Sequence, residues 1–156
     1  MPIDSEAVAR FARVCFEALG RPVPDVMPPA EMFGDSPELA DKLLDLVING
    51  PKRATAGAVA DYEASGDSLP TVGGAWIACD GAGTPRAMLT TTDVRIGPLS
   101  SVDAAFAWDE GEGDPSLAFW TDAHERFFRR RFAELGLAFH PDIPVVFERF
   151  DVYVPE

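Results

Sequence analysis

Positive charge is scarce in this sequence: 13 lysines and arginines face 26 acids in 156 residues, a formal net charge of −13. Proteins that grip long nucleic acid through its phosphates offer a basic surface. The balance therefore argues against an extended polyanion track, and no double-stranded DNA partner is expected. Cysteine is equally rare. Cys15 and Cys79 lie far apart, each in an apolar-patterned segment, so they read as buried thiols and not as a disulfide framework or metal knuckle. With two histidines and no H-x-x-x-H spacing, a tightly held structural metal is not expected. The opening Met1-Pro2-Ile3-Asp4-Ser5-Glu6 has neither a basic n-region nor an apolar h-region, and no later run is long enough to span a bilayer. A reducing cytoplasm and no membrane partner are the expectation. There is also no internal repeat, low-complexity tract or interdomain linker.

What is present is ordinary globular material: 47% hydrophobic and 25% charged residues, in a length that suits one domain able to bury a core unaided. Val8, Phe11, Ala12, Cys15, Ala18 and Leu19 recur at helical spacing behind a Ser5 cap, and Gly20 and Pro22 stop that helix. Residues 22–29 are proline-rich and read as an extended connector. A second helix is capped by Asp35 or Ser36, has Pro37 in its first turn, and carries Leu39, Leu43, Leu46 and Val47 on one face. Two strands follow, over 75–79 and 86–92, the second continuing towards Pro98. A short helix then runs to Trp108, and Asp114-Pro115 opens a longer one with Leu117, Trp120, His124, Phe127, Phe128 and Leu135 on a shared face. The last strand, 145–154, alternates Phe147, Arg149, Asp151 and Tyr153 against Val146, Glu148, Phe150 and Val152. The class is α+β.

Two stretches carry chemistry. In Gly50-Pro51-Lys52-Arg53-Ala54-Thr55-Ala56-Gly57 a helix is stopped by a Gly-Pro pair, the glycine in a left-handed cap, and an ammonium and a hydroxyl follow three residues apart. Lysine can act as base or anion anchor, and threonine as nucleophile or donor. In a regular strand their odd separation would put the two side chains on opposite faces, so a shared site requires irregular backbone there. The second stretch, Asp109-Glu110-Gly111-Glu112-Gly113-Asp114, packs four carboxylates into six residues. It fails as an EF-hand loop because Gly111 and Gly113 stand where oxygen ligands are needed. It is either a solvated loop ending in a helix cap or a source of a catalytic carboxylate.

These stretches keep company with Phe33-Gly34-Asp35-Ser36-Pro37-Glu38-Leu39-Ala40, with Pro115-Ser116-Leu117, Phe119-Trp120, His124 and Phe127-Phe128, and with the closing Val145-Val146-Phe147-Glu148-Arg149-Phe150. In order and spacing the set, over about residues 33–153, resembles the ASCH-domain family. The resemblance implies one ASCH domain over 1–156: a helix and connector in 1–32, and a core in 33–156 built as a PUA-like β-barrel with helices packed around it. It implies a cleft for RNA or a modified nucleoside and three functional readings. In the first, an amidohydrolase acting on an N4-acetylcytidine-type amide, Lys52 deprotonates Thr55 and Glu112 passes the proton to the leaving amine, with Glu110 as the substitute for Glu112. In the second, a metal-assisted ribonuclease specific for single strands, Lys52 stabilises a phosphate, Ser116 positions it, and the acidic loop holds magnesium or manganese weakly. The third is a non-catalytic RNA-binding or regulatory module. No cofactor is required outside the ribonuclease reading.

The sequence departs from the family pattern at Arg53, where similar proteins commonly have threonine, and that extra cation joins Lys52 as a substrate-binding candidate whose like charge would favour a neutral amine. Arg126, Arg129, Arg130 and Arg131 form either a second basic patch or the cationic end of a helix. Ser116 could be a first-turn helix residue, and His124 reads as a packed, hydrogen-bonded core histidine, with His140 in a loop. Trp76, Trp108 and Tyr62 could stack a base or fill the core. Lys52 and Glu112 are expected to be exposed, so that removing either would leave stability nearly unchanged.

Overall fold

The computed structural model describes residues 3–111 and 116–156. It contains α1 (Ser5–Ala18), β1 (Ala30–Glu31), α2 (Pro37–Ile48), β2 (Ala54–Ala58), α3 (Val59–Ser65), β3 (Ala75–Cys79), β4 (Pro85–Pro98), α4 (Ala104–Glu110), α5 (Leu117–Leu135) and β5 (Pro144–Tyr153), with a 3₁₀ turn at Leu99–Ser101. The α+β class is as expected. The five strands pair in the order β1-β3-β4-β5-β2, with β1 parallel to β3 and the β2–β5 and β3–β4 pairs antiparallel. The expected closed barrel is not what forms: the sheet is open. β1, at one end of the sheet, offers only two residues, whose register partners are Ile77 and Ala78 of β3.

The chain divides into two compact units. The first comprises Met1–Pro51, Gly73–Thr91 and Phe150–Glu156. Here α1 buries Val8, Ala12, Cys15 and Phe16 against Ile77, Cys79 and Met88. α2 buries Leu43, Leu44 and Val47 with Phe33, Ala78, Ala87, Leu89 and Phe150. Asp4, not Ser5, caps α1 by accepting from the Glu6 amide at 2.9 Å, whereas Ser36 caps α2 through the Leu39 amide at 3.1 Å. α2 ends at Asn49 in right-handed geometry, and Gly50 is not among the residues with positive φ. Its glycine is required for a different reason: a Cβ there would lie 2.9 Å from the Leu46 carbonyl oxygen.

Cys15 and Cys79 are free and fully buried in the α1 cluster, and burial pushes both thiols up to about 11. A folded-state value raised above the ordinary thiol value of 9.0 gives stability that is complete below that pH and is lost as pH climbs towards 11. Denaturant midpoints should therefore hold steady to about pH 8.5 and fall above 9. A Cys15→Ser/Cys79→Ser variant, less stable at neutral pH, should show a shallower fall.

The second unit comprises Lys52–Val72 and Thr92–Arg149. Its core joins Ala54 and Ala58 of β2, Phe106 and Ala107 of α4, Trp120, Phe128 and Phe132 of α5, and Val145 and Phe147 of β5. Asp103 caps α4 through the Phe106 amide at 2.8 Å, and α4 stops at Gly111 in the left-handed region, φ 60°. That glycine terminates the helix one residue after Glu110. β5 is buried on both of its faces from Val145 to Glu148, so its alternation marks two covered faces rather than one wet and one dry.

Candidate functional site

Lys52 sits on irregular backbone between the end of α2 and the start of β2, whereas Thr55 lies within regular β2, and the Lys52 side chain is 1% exposed. Its Nζ donates to the Ala54 carbonyl at 2.8 Å and to Glu110 Oε1 at 3.1 Å. Glu110, the last residue of α4, is also 1% exposed. Its second oxygen, Oε2, accepts from Trp120 Nε1 and lies 2.9 Å from His124 Nε2. The His124 ring stacks on the Trp120 indole with centroids 3.8 Å apart and planes 10° from parallel, and its Nδ1 is 2.9 Å from the Trp120 carbonyl oxygen. A lysine, a glutamate, an indole and an imidazole thus form one buried polar group against Phe106 and Phe147. Burying two charges costs several kcal/mol each unless geometry and further hydrogen bonds compensate, and here both oxygens of the carboxylate are engaged.

The backbone pins the pair from both sides. The Arg53 amide donates to the Asp109 carbonyl at 2.8 Å, and Arg149, the register partner of Ala54, reaches Asp109 Oδ2 at 3.0 Å through Nε. These contacts tie the C-terminal turn of α4 to the first residue of β2. Glu110 therefore meets Lys52 because two links, long-range in sequence, hold the residues beside them together.

The other sequence candidates are placed differently. Thr55 belongs to β2, where Ala54, Ala56 and Ala58 face the core, so alternation turns it to the opposite face, beside its register partner Glu148. Among the described residues no hydrogen bond joins the Thr55 hydroxyl to Lys52 or Glu110. Arg53 is exposed, and its guanidinium turns back to the Lys52 carbonyl at 2.6 Å, while the Lys52 amine meets the Glu110 carboxylate. Ser116 caps α5, accepting from the Phe119 amide at 3.2 Å. Glu112 and Asp114 lie outside the described residues. The expectation that Lys52 is exposed is overturned: it is 1% exposed, with its ammonium on a buried carboxylate. His124 and Trp120, read from sequence as core aromatics, are polar members of the group; their i, i+4 spacing was the signal that they share a partner.

The arginines of α5 do not make a basic track. Arg126 pairs with Asp122 at 3.0 Å, and Arg131 pairs with Asp61 and Glu134, its guanidinium held further up in pKa by the Asp61 hydrogen bond above all. Arg129 and Arg130 lie over the rings of Phe139 and Phe127. As for the ions of the ribonuclease reading, no three metal-ligating side chains gather among the described residues. Of the acidic loop, Asp109 is engaged by Arg149, and Glu110 by Lys52, Trp120 and His124. No helix is long and apolar enough to cross a membrane among the described residues.

An ASCH domain model matches residues 30–153. The chain is similar to the crystal structure of protein EF3133 from Enterococcus faecalis V583, with 33% identity and a TM-score of 0.85 over 96% of this chain and 89% of that one. It is similar also to the ASCH domain from Lactobacillus crispatus JV V101, with 30% identity and a TM-score of 0.82 over 97% and 96% of the two chains. A comparison with curated proteins found no match.

Proposed function

Because this chain belongs to the ASCH-domain family, we propose that it binds a modified nucleoside or a short single strand of RNA at the Lys52–Glu110 pair and hydrolyses an N4-acetylcytidine-type amide there. The observation that carries the reading is the 3.1 Å contact between the Lys52 ammonium and a buried Glu110 carboxylate. Amide hydrolysis needs positive charge beside the carbonyl oxygen as it becomes an oxyanion, and a group that takes a proton from the attacking water and returns one to the departing amine. Lys52 supplies the first and Glu110 the second. Water is the nucleophile in this scheme, since Thr55 has no hydrogen bond to either group. The net charge of −13 fits a nucleoside-sized substrate better than a long polyanion.

A second reading rests on burial: with Lys52 and Glu110 each 1% exposed, the pair could serve to hold β2 and α4 in place for a binding module without catalysis. Incubation with N4-acetylcytidine and with labelled single-stranded RNA, each with and without EDTA, separates the cases. The expected result is release of acetate and cytidine, insensitive to EDTA, with the RNA left intact. RNA cleavage abolished by EDTA would replace this reading with the ribonuclease one. Binding without turnover of either would replace it with the binding module.

A further inference from the structure

His124 has no role in the scheme so far, yet hydrogen-bond bookkeeping around it is restrictive. A backbone carbonyl oxygen only accepts, so the ring nitrogen 2.9 Å from the Trp120 carbonyl, Nδ1, carries a hydrogen. A neutral imidazole has one N–H. With it on Nδ1, Nε2 would present a lone pair to Glu110 Oε2 at 2.9 Å, two acceptors facing each other. A second proton must lie between them. Glu110 also receives Lys52 Nζ on Oε1 and Trp120 Nε1 on Oε2, an environment that favours the carboxylate. The proton therefore resides on the ring.

We infer that His124 is a doubly protonated imidazolium that positions and recharges Glu110, a built-in proton donor to the Lys52–Glu110 pair. Among the described residues, the charged groups set against it include Glu110 of α4 and, beyond that carboxylate, Lys52 ahead of β2; Phe128 covers it from its own helix with centroids 6.2 Å apart. Stacking on Trp120 fixes the ring plane. At 13% exposure, against 1% for Glu110 and Lys52, His124 is the member of the group nearest to water. During amide hydrolysis one proton is needed at the departing nitrogen and one is released by the attacking water. As water attacks, its proton goes to Glu110. As the C–N bond then breaks, Glu110 gives a proton to the departing nitrogen and draws the Nε2 proton onto itself, leaving the Nδ1–H tautomer; that proton returns to Nε2, and the cycle closes without an outside acid.

The role in turnover rests on the hydrolase reading, whereas the protonation state does not, and the test is built on that difference. In ligand-free protein with ¹⁵N-labelled histidine at pH 7, long-range ¹H–¹⁵N correlation should show both His124 nitrogens protonated. His140 serves as the internal comparison, since its Nδ1 accepts from the Asp142 amide at 3.1 Å. A neutral His124 ring with one protonated nitrogen overturns the inference whether or not the protein is a hydrolase. With N4-acetylcytidine as substrate, His124→Gln keeps an N–H donor towards Glu110 but cannot transfer its proton. It should lower kcat about 100-fold, the low end for general acid–base assistance, with KM little changed and the basic limb of the pH profile lost. Wild-type kcat in His124→Gln would reduce His124 to a structural donor and overturn the relay.

Discussion

Lys52→Ala is expected to destabilise the protein by about 3–5 kcal/mol, because it leaves the Glu110 carboxylate buried with its ionic partner gone. That is a large part of the roughly 5–15 kcal/mol by which a domain is stable, so a melting temperature lower by roughly 10 °C or more should accompany it. The effect belongs to the broken pair and not to lysine as such. Lys52→Met combined with Glu110→Gln should therefore cost clearly less than the two single changes added together. Urea denaturation of the four proteins gives the coupling directly. Additive costs would mean that the 3.1 Å contact contributes nothing.

Trp120→Ala should cost about as much, roughly 3–5 kcal/mol, for separable reasons. The indole is 3% exposed and packs edge-on against Phe106 with centroids 6.2 Å apart, so truncation opens a cavity in the second unit's core. It also removes the Nε1 donor to Glu110 and the surface on which His124 stacks. Trp120→Phe separates the two: it restores most of the volume and the stacking but not the N–H. Stability should then recover by more than half, while the His124 ring signals should still shift from their wild-type positions. If Trp120→Ala unfolded no more readily than an exposed substitution, its place in the core would be wrong.

Local rules made much of this fold legible. Ser36-Pro37 announced the start of α2, Gly136 the end of α5, and the turn over 80–85 the β3–β4 hairpin, because caps and turns depend on neighbours in sequence. α3 was not legible: Val59–Ser65 buries no residue and its cap residue, Ala58, makes no side-chain hydrogen bond, so neither period nor cap signalled it. Openness of the sheet was hidden as well, since it depends on an edge strand of two residues that no hydrophobic pattern marks. Of the site, Lys52 and Glu110 were visible as candidates from residue type and family spacing. Their burial was not, because it follows from long-range contacts: the Arg53 amide on the Asp109 carbonyl, and Arg149 on its carboxylate. His124, read as a packed and hydrogen-bonded core histidine, is stacked and hydrogen-bonded as expected, but its partner, the carboxylate 14 positions earlier against Nε2, was not legible from neighbours in sequence.

The central claim is that a nucleoside binds at the Lys52–Glu110 pair, and the Trp120 indole N–H, donated to the same carboxylate, is a reporter built into the site. Titration of ¹⁵N-labelled protein with N4-acetylcytidine, followed through this one indole resonance, tests the claim most directly. A saturable shift of the Trp120 signal, absent in Glu110→Gln, is the predicted result. Saturable movement of other resonances with the Trp120 indole unmoved would place the ligand elsewhere and contradict the account.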